Sequence, residues 1–168
     1  MGDADVQKAL VRLTSLLDES SIPYAIVGAM ALNEYGYRRV TVDVDVLLAP
    51  EGLRAFHERA LGRGYVEKHA GSRGVRDTLN GVVIDVLVAG EYPGDGRPKP
   101  IAFPDPAQAA VTGERVKLLP LELLLELKLA SRMTAPHRLK DLAHLLALIR
   151  APPLPRASVA PLPPSPPP

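Results

Sequence analysis

The run Arg39-Val40-Thr41-Val42-Asp43-Val44-Asp45-Val46 constrains the chain more than any other segment. Its strict alternation of β-branched and polar residues is the period of a strand, with side chains directed to opposite faces. Val40, Val42, Val44 and Val46 are expected to bury one face, leaving Arg39, Thr41, Asp43 and Asp45 on the other. Alternate residues on a strand stand about 6–7 Å apart at their α-carbons. Two aspartates held there repel each other, and aspartate is a poor strand former. A hard divalent cation bound between them removes both objections, because it seeks carboxylate oxygens. For a lone Asp-x-Asp, a solvated polar strand face is the better account.

A second strand bears on that choice. Asp85 interrupts Val82-Val83-Ile84-Asp85-Val86-Leu87-Val88, an otherwise unbroken apolar run. Such runs are commonly buried on both faces, and a carboxylate without a partner there costs several kcal/mol or takes up a proton. Two explanations fit: a metal shared with Asp43 and Asp45, or an ion pair at the sheet end with Arg76 across the hairpin. A third feature is the turn Val27-Gly28-Ala29-Met30, placed so that Gly28 precedes Asp43 by 15 residues. Glycine lets a ligand approach the backbone closely, and a helix start offers N–H groups to phosphate.

The remaining elements follow from periodicity. Val6, Ala9, Leu10, Leu13, Leu16 and Leu17 predict an opening amphipathic helix. A strand is expected over 24–27, a helix over 30–35 stopping at Gly36, the long strand over 38–48, and a helix from Pro50-Glu51 to Leu61. Tyr65 to His69 suit a strand. Asn80-Gly81 between two apolar runs, 75–79 and 82–88, is a strong hairpin signal. Residues 91–106 read as a loop, 115–118 as a short strand, and 121–133 and 136–149 as two helices. This order implies an α/β (α+β) domain over residues 1–150, a mixed sheet flanked by helices with a helical C-terminal part. Nine of the chain's 18 prolines lie in 151–168, which therefore reads as an extended or disordered tail.

Composition removes several function classes. Cysteine is absent, so disulfides, thiolate metal sites and cysteine nucleophiles are excluded. Lys and Arg total 20 against 19 Asp and Glu, which leaves no whole-molecule field to draw in nucleic acid or an acidic membrane. The four histidines lack the spacing of a zinc enzyme, and there is no P-loop or nucleophile elbow. No signal peptide or bilayer-length apolar run is present, so a soluble, cytoplasmic protein is expected.

Ile26-Val27-Gly28-Ala29 followed by Arg39-x-Thr41-x-Asp43-x-Asp45, with a later Asp85, resembles the signature of the DNA polymerase β-type nucleotidyltransferases. With Leu121-Glu122, Lys128 and Arg138-x-Lys140-Asp141-Leu142 it is similar to the minimal bacterial AbiEii-like members, over roughly residues 22–148. The resemblance implies the small nucleotidyltransferase fold. It implies that Asp43, Asp45 and Asp85 are catalytic and bind Mg²⁺ (or Mn²⁺), with Asp85 also assisting removal of the acceptor proton. Gly28, Ala29, Arg39, Thr41, Lys128 and Lys140 would contact the nucleotide. An NTP would donate its NMP to a hydroxyl on RNA, protein or a small molecule. A toxin–antitoxin partner or a homodimer would complete so small a chain. Ala29 departs from the family, which has Gly or Ser second in the turn; the N–H survives, but a serine hydroxyl does not. Two rival readings are a non-catalytic module on the same fold, binding nucleotide or a toxin or antitoxin partner, and a two-metal phosphohydrolase.

Overall fold

The computed structural model describes residues 3–38 and 40–132. Arg39, Lys140, the helix expected over 136–149 and the proline-rich segment 151–168 lie outside the described residues.

Helix α1 (Asp3–Glu19) buries Val6, Ala9, Leu10, Leu13 and Leu17, the i, i+3, i+4 stripe of an amphipathic helix, while Leu16 packs at its margin. Its end is tightly built. Ile22 N donates to Leu17 O at 2.9 Å and Ser21 N to Asp18 O at 3.1 Å, the paired bonds of a Schellman closure. That closure requires a left-handed residue, and Ser21 supplies it at φ 55°. A β-carbon is disfavoured there by roughly 1–2 kcal/mol. Ser21→Gly is therefore expected to stabilise the protein by about 1 kcal/mol in urea denaturation, offset in part by glycine's greater freedom when unfolded. A loss of stability would show that the serine side chain contributes something its conformation does not reveal.

The sheet has seven strands: β1 (Ala25–Val27), β2 (Asp43–Leu48), β3 (Tyr65–Glu67), β4 (Val75–Asp77), β5 (Val83–Val88), β6 (Val111–Thr112) and β7 (Lys117–Leu118). Their spatial order is β3-β4-β5-β2-β1-β7-β6. β1 lies antiparallel to β2, β2 parallel to β5, and β1 parallel to β7, so the sheet is mixed, as expected. Helix α2 (Gly28–Glu34) leaves β1 directly, and α3 (Pro50–Ala60) begins the crossover from β2 that returns through the β3–β4 hairpin to β5. The short α4 (Pro106–Ala109) and α5 (Leu121–Arg132) complete the described elements. Tyr35 is buried after α2, and its hydroxyl donates to Leu119 O at 2.7 Å, tying that end of α2 to the segment before α5.

Three expectations need correction. The strand over 38–48 starts only at Asp43; Val40 and Val42 are 90% and 53% exposed instead of buried. The ladder explains this, since β5 reaches back only to Val83 opposite Asp43 and β1 only to Val27 opposite Asp45. The run 82–88 is not buried on both faces: Ile84, Val86 and Val88 are buried, whereas Val83, Asp85 and Leu87 are only partly covered. The Asn80-Gly81 hairpin exists, but its first strand stops at Asp77 and Leu79 is 75% exposed. The buried Asp77 carboxylate takes over there, accepting from Leu79 N at 2.8 Å, Asn80 N at 3.1 Å and Asn80 Nδ2 at 3.0 Å. Side-chain bonds of this Asx type compete with ladder bonds and widen the turn. β6, which pairs with β7, also falls in a stretch where no strand was expected.

Candidate active site

The alternation along β2 places Val44 and Val46 in the core and turns Asp43 and Asp45 to the opposite face, each half-buried. The parallel register sets Asp45 directly opposite Asp85. In-register neighbours on adjacent strands share a face and lie about 5 Å apart. Asp43, Asp45 and Asp85, separated by up to 42 positions, thus share one side of the sheet. The alternative pairing of Asp85 with Arg76 is not found among the described residues: Arg76 donates to Gly81 O, and Lys68 pairs with Asp85, Nζ to Oδ1 at 3.1 Å.

The turn after β1 reaches the same place. Val27 pairs with Asp45 in the ladder, and Gly28 follows at φ 69°. A β-carbon at Gly28 would collide with the Asp45 carboxylate, so this position needs glycine both for its conformation and for space. Ala29, Val27 and Gly28 line a largely apolar cleft with Leu124, Phe103 and Lys128. Lys128, a cation on the apolar side of α5, thus lines the same cleft as the Gly28 turn. Thr41 does not join it. Its hydroxyl donates to Asp43 O at 2.9 Å, and it lines a different cleft with Arg38, Glu34 and Arg115.

Electrostatics single out Asp45. Its pKa is raised from 3.8 to about 6, first by burial, then by the charges of Asp85 and Asp43; Lys128 and Lys68 pull it partly back. The folded state thus holds the proton more tightly than the unfolded chain does. Its stabilising contribution is complete below about pH 4 and is lost as pH rises through about 6. Asp45→Asn removes this burden. In EDTA the substitution is expected to raise unfolding free energy by about 1–3 kcal/mol at pH 7.5 and by almost nothing at pH 4. An equal gain at both pH values would assign the effect to packing instead of charge.

Among the described residues no three acidic or histidine groups converge closely enough to form a ready-made metal cage. The donor set nevertheless fits a hard divalent cation: three carboxylates share a face, and burial followed by the charges of the other two raises the pKa of the innermost. Asp85 would have to share or exchange Lys68 to serve as a ligand. Lys68 carried no mark in the sequence, because its partner lies 17 positions away on a strand two places across the sheet.

No family model matches the chain, and no curated protein matches it in sequence. Solved structures do match in fold. ANT(2")-Ia in complex with adenylyl-2"-tobramycin superposes with a TM-score of 0.53 at 16% identity, over 85% of this chain and 88% of that one. A Thermotoga maritima protein described as a candidate nucleotidyltransferase superposes with a TM-score of 0.54 at 15% identity, over 88% of this chain and 96% of its own. The mixed sheet, its flanking helices and these neighbours agree: the chain is built on the nucleotidyltransferase fold.

Proposed function

We propose that the protein is a metal-dependent nucleotidyltransferase that moves an NMP from an NTP to a hydroxyl acceptor, within the minimal AbiEii-like group its sequence resembles. The observation that carries this reading is the register of β2 against β5, which puts Asp85 beside Asp45 next to the Gly28 turn. Asp43, Asp45 and Asp85 would hold Mg²⁺ or Mn²⁺, which when bound supplies charge neutralisation at the reacting phosphate and a more acidic acceptor hydroxyl. The backbone N–H groups at Gly28 and Ala29 orient the triphosphate, and Lys128 places a positive charge on the same cleft. Asp85 assists removal of the hydroxyl proton. The acceptor oxygen then bonds to the α-phosphorus as the bond to the β-phosphate oxygen breaks, and pyrophosphate leaves with that electron pair. Arg39, Thr41 and Lys140, matched to the nucleotide by resemblance, act outside this innermost set.

One similarly folded protein holds adenylyl-2"-tobramycin, a nucleotidyl group joined to a small molecule. That supports a small molecule as acceptor; RNA and protein hydroxyls belong to the same chemistry, and a toxin–antitoxin partner in the cytoplasm fits the AbiEii-like resemblance. A second reading, a non-catalytic binding module on this fold, is favoured by Ala29 in place of Gly or Ser and by the engagement of Asp85 with Lys68.

The test supplies each α-labelled NTP with Mg²⁺ or Mn²⁺ and, separately, total RNA, protein extract and a pool of hydroxylated small molecules. Label transfer that is lost in Asp43→Ala supports the proposal. Release of free nucleotide or phosphate without transfer assigns a hydrolase. Partner or nucleotide binding with no turnover assigns the module.

A further inference from the structure

Lys68 is held against Asp85 by more than its own charge. The lysine follows β3 and opens the segment that returns to β4, and its backbone N–H donates to Gly74 O at 3.0 Å. Gly74 is buried where a β-carbon would meet Ile84 O at 3.0 Å, Asp85 Oδ1 at 3.4 Å and Lys68 Cδ at 3.5 Å. The segment is braced from two further sides. His57 Nε2 donates to the Arg73 carbonyl at 2.9 Å, and the Arg73 guanidinium makes a two-pronged pair with Glu91. The Lys68 and Asp85 side chains are 41% and 35% exposed, so the pair stands at the rim of the acidic site, open to exchange.

We propose that Lys68 is a positioning residue, a tethered cation that competes with a divalent ion for the Asp85 carboxylate. The inference rests on Asp85 being a metal ligand, as proposed above. Asp85 Oδ1 lies at hydrogen-bond distance from the ammonium, and the lone pairs it directs there are withheld from a second cation. The ammonium also repels an incoming ion. Entry of the ion breaks one ion pair and no covalent bond.

Mn²⁺ is the probe, with its free concentration followed by electron paramagnetic resonance in titrations of the full chain. Lys68→Met is expected to tighten Mn²⁺ binding by about two- to fivefold, the range set by an exposed ion pair. Lys68→Arg, which keeps the charge, is expected to bind like the parent. In an Asp85→Asn background, Lys68→Met is expected to change nothing further. Unchanged or weaker binding in Lys68→Met overturns the proposal. So does equal tightening in the Asp85→Asn background, which would reveal only a general field effect. Failure of the metal reading looks different: the parent and every variant then bind no Mn²⁺, and the inference falls with it.

Discussion

Asp43→Ala and Asp85→Asn proteins are expected to fold as the parent does and, if the proposed transfer holds, to transfer label at least about a thousandfold more slowly. The magnitude follows from what ligand removal takes away. A catalytic ion contributes several kcal/mol of charge stabilisation in the transition state, and each 1.36 kcal/mol is about tenfold in rate. Folding is not expected to suffer, because both residues are half-buried on a face already crowded with negative charge. The Asp85 substitution also releases Lys68, but a rim ion pair is worth at most about 1 kcal/mol. Asparagine preserves the shape of Asp85 and removes only the charge, so a lost rate with intact circular dichroism isolates the electrostatic role. Single-turnover rates at saturating NTP and Mg²⁺ provide the measurement. Retention of more than a tenth of the parent rate in Asp85→Asn would detach β5 from the chemistry.

Arg12→Met is expected to lower the unfolding free energy by about 3–5 kcal/mol, the usual result of leaving a buried carboxylate without its cation. Asp77 is fully buried, and Arg12 Nη1 donates to its Oδ1 from α1, a contact spanning 65 positions. The guanidinium also lies over the Tyr65 ring, 5.0 Å from its centroid, and a β-carbon at Gly64 would run into it. One arginine thus joins α1, β3 and the end of β4. The two backbone N–H groups and the Asn80 amide still donate to Asp77 in the variant, which favours the lower part of the range. Adding Asp77→Asn to Arg12→Met should return part of the loss, since the stranded charge is gone and the amide oxygen still accepts. Urea denaturation of the parent, both single variants and the double variant gives the coupling energy. A coupling below about 0.5 kcal/mol would reduce Arg12 to packing over Tyr65.

These two outcomes sit on opposite sides of what could be read beforehand. Asp43 and Asp45 were legible as site candidates because a two-residue period with acids on one face conflicts with strand propensity, a conflict that local structure alone does not resolve. Asp85 stood out as the one charge in an apolar run. Gly28 drew notice only as a turn, and nothing local indicated that its missing β-carbon makes room for Asp45. The Arg12–Asp77 pair and Lys68 escaped notice for a related reason. Neither breaks a local pattern: Arg12 lies on the partly exposed side of an amphipathic helix, and Asp77 ends a strand where polar residues are ordinary.

Periodicity in the amino-acid sequence determined the helices α1, α3 and α5 and the acid-bearing face of β2, because those depend on residues within a turn or two of one another. Strand order and register were decided only in three dimensions. They place Asp45 opposite Asp85, leave Val40 and Val42 without a neighbouring strand, and bring Lys68 rather than Arg76 to the acids. Such pairings reflect how all the apolar faces bury at once, a condition on the whole chain that no short window contains.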